Sequence, residues 1–161
     1  MRATGSMAAR LGALLGATAL AALVPATAQA QSRPDQKAFF GLYKELVETN
    51  TTLSVGSCTK AAEQIGARMK AAGYSDSAIT LFSVPDHPRE GGIVVILDGS
   101  DKKAKPMLLL GHLDVVEAKR EDWVRDPFTL IEEDGYYYAR GTVDDKAQAA
   151  TWADSMIRLT P

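Results

Sequence analysis

His112 and Asp114 are separated by a single residue, so on extended backbone both side chains project to the same side. An imidazole that binds a metal through one ring nitrogen is commonly held through the other by a carboxylate, which fixes its tautomer and raises its basicity. Asp114 is placed to be that partner for His112. Taken alone, a His-x-Asp step is more often a hydrogen-bonded surface pair than a metal site. A second group is Arg140-Gly141-Thr142-Val143-Asp144-Asp145-Lys146, where glycine allows close backbone approach and two carboxylates are adjacent. Its simpler reading is a helix N-cap with acidic first-turn residues, which the positive end of a helix favours without any metal.

The elements that must position these groups follow from periodicity. Phe39, Phe40, Tyr43, Leu46 and Val47 recur at helical spacing behind Pro34 and Asp35, which predicts a helix over residues 35 to 49. Residues 50 to 56 read as a polar loop. Ser57 can cap a second helix over 58 to 72, which carries Ala61, Ala62, Ile65 and Met69 and is followed by Gly73. Short apolar or β-branched runs at 79 to 84, 92 to 97 and 107 to 110 predict strands, and the last is continuous enough to suit a central strand buried on both faces. Runs at 128 to 131 and 136 to 138 flank Asp134-Gly135, a hairpin signal. A helix over 145 to 159 closes the chain. The whole predicts an α/β fold, a mixed β-sheet flanked by helices. Pro161 follows a helix expected to lead to another strand, so the sequence predicts a domain cut short.

Together, in this order and separation, the two polar groups carry a resemblance. Gly111-His112-Leu113-Asp114-Val115-Val116, followed by Trp123, Asp126, Pro127 and Phe128, resembles the first metal motif of the M20 zinc metallopeptidases, and Gly141-Thr142-Val143-Asp144-Asp145-Lys146 resembles their second. The resemblance covers most of residues 35 to 160. It implies the N-terminal half of a zinc-exopeptidase-like catalytic domain at 31 to 161, with the lid and dimerisation domain outside the chain. It implies that His112 ligates one zinc, that Asp144 bridges two, with other divalent cations such as cobalt as substitutes, and that Asp114 is the catalytic residue that positions and polarises His112. A carboxylate can span two cations about 3.5 to 4 Å apart, the spacing of two-metal hydrolytic sites. The family also has a cis peptide after the bridging aspartate, here Asp144–Asp145. The implied reaction is hydrolysis of a peptide or N-acyl amino acid amide, carboxypeptidase-like, on a small substrate, with any homodimer formed through the lid domain. The family's general base and remaining ligands lie after the bridging aspartate. Glu132 and Glu133 precede Asp144 and lead into the hairpin turn, so they do not take that job. The competing expectation is that these 161 residues on their own form a catalytically inactive binding or structural module.

Composition agrees with a folded, exported protein. With 46% hydrophobic and 24% charged residues and a net charge of -2, the chain has the make-up of one globular domain and no basic excess for nucleic acid or anionic membrane. Arg2 and Arg10, the apolar run over 11 to 24 and Ala28-Gln29-Ala30 form a secretory signal peptide over 1 to 30, cleaved after Ala30, which predicts a secreted or periplasmic product. The apolar run is shorter than the roughly 20 residues that span a bilayer, so no stable membrane anchor is expected. Removing those two arginines lowers the basic count from 18 to 16 against 20 acids and takes the charge to -4. Cys58 is the only cysteine, which excludes an internal disulfide and a thiolate zinc site and leaves a helix-packing role. His87, between Pro85 and Pro88, is expected in a rigid loop and not as a ligand.

Overall fold

The structure, a computed structural model, describes residues 33 to 160. The signal-peptide expectation for residues 1 to 30 lies outside them. Two helices, α1 (Pro34–Glu48) and α2 (Cys58–Ala71), are followed by two strand pairs, β1 (Ile79–Val84) with β2 (His87–Val95) and β3 (Ile131–Glu133) with β4 (Tyr136–Tyr138), and then by a third helix, α3 (Lys146–Leu159). Short 3-10 turns occupy Asp76–Ala78 and Arg120–Asp122. Among the described residues no helix is long and apolar enough to cross a membrane.

Each helix starts and stops for a local reason. Before α1, the Arg33 amide donates to Gln36 Oε1 at 2.9 Å, and Pro34 takes the first position, where its missing N–H costs nothing. Ser57 caps α2, its hydroxyl accepting from the Lys60 amide at 3.1 Å. Past the other end of α2, Gly73 adopts φ 101°, and the Gly73 and Tyr74 amides donate to the Lys70 and Met69 carbonyls at 3.0 and 3.1 Å. That is a Schellman stop, which needs the left-handed residue glycine supplies.

The core lies where the apolar stripes of the helices meet. Leu42, Tyr43, Leu46 and Val47 of α1, Ala61, Ile65 and Met69 of α2, and Ala150 and Ala153 of α3 are all buried in one cluster. Ile79, Ile93 and Val95 bring one face of the β1–β2 hairpin against it, while Leu81, Phe82, Val84 and Val94 remain exposed. Small residues on α3 allow it to lie close against α1, and the two run antiparallel, because Arg158 at the end of α3 donates to Asp35 Oδ2 at the start of α1 at 2.8 Å.

The Arg158 hydrogen bond, opposed by slight desolvation and helped by Arg33, holds the Asp35 carboxyl down from its ordinary 3.8 to about 2. A carboxyl lowered on folding stabilises the native state above its unfolded pKa and loses that contribution as pH falls through the folded one. Thermal midpoints of the wild type and Asp35→Asn should therefore differ at pH 5 and converge between pH 4 and pH 2. A constant gap would show that the pair does not link α1 to α3. The effect should be small and salt-sensitive, because both side chains are solvent-exposed.

The strand expectations need correction at two places. Residues 107 to 110 do not form a buried central strand. Among the described residues they have no ladder partner, and Met107, Leu108 and Leu110 are 85%, 81% and 76% exposed. A strand buried on both faces requires neighbours on its edges and layers above and below it. Here the segment is held by Trp152, whose indole N–H donates to the Leu110 carbonyl at 3.2 Å. The expected run at 128 to 131 pairs only from Ile131, because Asp126 draws the chain into an Asx turn, its Oδ1 accepting from the Phe128 amide at 2.7 Å. The α/β arrangement holds, and its strands pair as two antiparallel hairpins rather than as one mixed sheet among the described residues.

Candidate metal centre

Two loops meet at the start of α3. The first, over residues 111 to 116, carries His112 and Asp114; the second, over 139 to 145, carries Asp144 and Asp145 and turns at Gly141, where φ is 84°. A side chain at Gly141 would place Cβ 2.9 Å from Val115 Cγ1 and 3.1 Å from Lys146 Cδ, so glycine serves both the turn and the close approach of the loops. The Asp144–Asp145 peptide is cis. The two aspartates address different atoms of the same histidine. Asp145 Oδ2 accepts from the His112 backbone amide at 3.2 Å, while Asp144 Oδ1 lies 2.9 Å from His112 Nε2.

The tautomer follows from the acceptors. His112 Nδ1 is 3.0 Å from the Asp114 backbone oxygen and 3.2 Å from Asp114 Oδ1, both of which can only accept, so Nδ1 carries the hydrogen. Nε2 of the neutral ring then presents a lone pair to a carboxylate oxygen at 2.9 Å. Two acceptors hold that separation only with a positive species between them, either a second ring proton or a metal cation. Partial desolvation pulls the His112 pKa down. The Asp144 hydrogen bond, the Asp114 carbonyl and the charges of Asp114 and Asp145 outweigh it and leave the imidazole above its ordinary value. The same atoms that favour a proton favour a divalent ion, and an imidazole nitrogen with a carboxylate oxygen is a donor set that suits zinc. Among the described residues no group of three or more His, Cys, Asp or Glu side chains converges tightly enough to hold a metal.

His87 begins β2 rather than lying in the loop, and its Nδ1 is 3.3 Å from Glu90 Oε1. Glu133 of β3 pairs with Arg125, and Trp123 lies beneath the Arg140 guanidinium at 5.1 Å. Asp114 and Val115 line one side of a recess of about 530 Å³ whose far side is the tip of the β1–β2 hairpin, with Thr51 and Cys58 on its wall. The Cys58 thiol is half-buried, and burial raises its pKa.

Sequence reasoning passed over Lys146 and Thr51 as individual residues. Lys146 is fully buried with Nζ donating to the Thr49 carbonyl at 2.6 Å, and Thr51 is 1% exposed with its hydroxyl donating to the Leu113 carbonyl at 2.7 Å. A cation in the first turn of a helix opposes the helix dipole, and that placement was the available signal that Lys146 has a partner elsewhere.

Known proteins share parts of this chain. Residues 108–161 match the model of peptidase family M20/M25/M40. The chain is 50% identical over 50 residues to the human N-fatty-acyl-amino acid synthase/hydrolase PM20D1, covering 31% of this chain and 10% of that protein. It is 39% identical over 75 residues to the rat beta-Ala-His dipeptidase, covering 46% and 14%. Among solved structures, human carnosine dipeptidase 1 superimposes with a TM-score of 0.50 at 29% identity over 74% of this chain and 27% of that one. The dipeptidase Dug1p of Saccharomyces cerevisiae superimposes with a TM-score of 0.56 over 76% and 28%; at 24% identity this likeness speaks for the fold alone. The likeness to the M20/M25/M40 peptidases rests on residues 108–161. The chain spans about a tenth of the length of the curated relatives it matches and just over a quarter of the solved ones.

Proposed function

We propose that the protein acts as an exported, zinc-dependent hydrolase of peptide or N-acyl amino acid amide bonds, carboxypeptidase-like, and that this chain supplies one wall of its metal site. The observation that carries the reading is the approach of His112 Nε2 to Asp144 Oδ1 at 2.9 Å with Nδ1–H already engaged by Asp114. In it, His112 and Asp144 would hold zinc, or cobalt in its place, and Asp114 would orient the imidazole. Bound zinc supplies Lewis acidity for an amide carbonyl and for water. The chain's own residues then do the orienting. Asp145 fixes the His112 backbone, Asp114 fixes its ring, and Asp144 leaves its carboxylate open to solvent for the metal. The recess beside Asp114 falls in the size range of small-ligand sites and would receive one side of a dipeptide-sized substrate. The N-terminal signal directs the protein out of the cytoplasm, and any homodimer forms through a lid domain outside these residues.

That only two donors converge among the described residues favours a second reading for the chain on its own, an inactive binding or structural module. Metal removal tests the main one. Hydrolysis of a panel of dipeptides and N-acyl amino acids by the full-length protein should disappear after dialysis against a chelator and return on adding zinc or cobalt. Turnover that survives complete metal removal would overturn it.

A further inference from the structure

Val115 packs against Gly141, but the two ligand-bearing loops hydrogen-bond to each other at the exposed His112–Asp144 pair and at the exposed His112 amide to Asp145, and polar contacts between solvated groups of this kind hold little. Buried and part-buried bonds run instead from each loop to one shared element, the C-terminal half of α1 and the turn behind it. Toward the first loop, Thr51 Oγ1 donates to the Leu113 carbonyl at 2.7 Å and the Val115 amide donates to the Thr51 carbonyl at 3.3 Å. His112 and Asp114 alternate with those two anchored residues. Toward the second loop, the Tyr43 hydroxyl donates to the Thr142 carbonyl at 2.9 Å and Lys146 Nζ donates to the Thr49 carbonyl at 2.6 Å. Asp144 lies between those two anchors.

We infer that the end of α1 and the turn over residues 49 to 52 form a clasp that sets the separation of His112 from Asp144, with Thr51 and Tyr43 as positioning residues for the metal pair. The clasp is itself rigid. Thr49, Thr51 and Thr52 are at most 6% exposed, and Asn50 Oδ1 accepts from both the Thr52 amide and the Thr52 hydroxyl, at 2.9 and 2.8 Å. The turn returns at Gly56, where an added Cβ would lie 2.3 Å from the Thr52 nitrogen. Threonine serves at position 51 because one residue contributes a donor from its side chain and an acceptor from its backbone to the same strand of chain. A valine would fill the same space and lose the first of these bonds.

The inference rests on the proposed zinc site, and the test separates the two. In the full-length protein, zinc affinity is measured by competition with a chelating dye for the wild type, Asp144→Ala, Thr51→Val, Thr51→Ser and Tyr43→Phe, at a temperature where the metal-free forms are folded by circular dichroism. Groups that orient metal ligands from behind are typically worth 10- to 100-fold in metal affinity. Thr51→Val and Tyr43→Phe should each weaken zinc binding by about that factor, and Thr51→Ser, which keeps the hydroxyl, should bind within a few-fold of the wild type. Thr51→Val and Tyr43→Phe binding as tightly as the wild type while Asp144→Ala has lost zinc would overturn the clasp and leave the site standing. Thr51→Ser weakened as much as Thr51→Val would also overturn it, since the loss would then follow the methyl group rather than the hydroxyl. Wild type and Asp144→Ala binding alike would remove the site itself. If Thr51→Val fails to fold, Tyr43→Phe decides alone, because it deletes one buried hydroxyl and keeps the ring.

Discussion

Asp144→Ala should abolish zinc retention and turnover in the full-length protein while leaving the fold unchanged, and Asp114→Asn should reduce turnover only about 10-fold. The difference follows from what each carboxylate touches. Asp144 is 87% exposed, and its side chain hydrogen-bonds to His112 at the surface, so removing it costs the core nothing. It deletes one of the two donors that would define the metal position, a larger loss than the 10- to 100-fold typical of groups behind the ligands. Asp114 shares its task. His112 Nδ1 lies nearer to the Asp114 backbone oxygen, at 3.0 Å, than to Oδ1, at 3.2 Å, and asparagine keeps that carbonyl. A loss at the lower end of the range is therefore expected. The metal-free proteins offer an independent check by NMR titration. The Asp144 hydrogen bond is the leading influence that raises the His112 pKa, so in Asp144→Ala that pKa should fall below the wild-type value. Equal turnover in Asp144→Ala and wild type, or an unmoved histidine, would contradict the assignment.

Legibility in the sequence followed the range of the interactions involved. The three helices were legible because their stripes and stops are local: the apolar spacing of Tyr43, Leu46 and Val47, the Ser57 cap and the left-handed Gly73 each act within one or two turns. The Asp134-Gly135 hairpin was legible for the same reason, both residues taking positive φ as a two-residue turn requires. Residues 107 to 110 misled because an apolar run states a demand for cover without stating what provides it. The turn over 49 to 52 misled in the opposite sense. Thr51 and Thr52 read as part of a polar loop, yet both are buried, and Thr51 is tied to Leu113 and Val115, more than sixty residues away in sequence. At the site, the His-x-Asp spacing displayed His112 and Asp114 at once. That the Asp114 carbonyl, and not only its carboxylate, would hold the ring was hidden, because every residue carries a carbonyl.

Lys146 carries the second large effect, on stability and its dependence on pH. Its side chain is fully buried, desolvation is the first cause of its lowered pKa, and the value drops from 10.5 to about 8, with the neighbouring Cys58 pulling weakly the other way. For a base lowered on folding, the unfolded chain binds the proton more tightly, so native stability rises with pH between the folded and unfolded values. Below about pH 8 the burial penalty is fully present; between about 8 and 10.5 it is progressively relieved. At 1.36 kcal/mol per pKa unit the window is worth about 3 kcal/mol. Urea unfolding of the wild type and Lys146→Met across pH 7 to 11 should show the wild type gaining on the variant by about that amount. The ammonium is tolerated below pH 8 because it sits at the negative end of α1, where the Thr49 carbonyl accepts from Nζ at 2.6 Å. The neutral amine keeps a hydrogen for the same bond, so the link between α1 and the Asp144 loop should persist through the titration. Parallel stability curves for the two proteins would mean that water reaches Nζ and that Lys146 titrates as a surface lysine does.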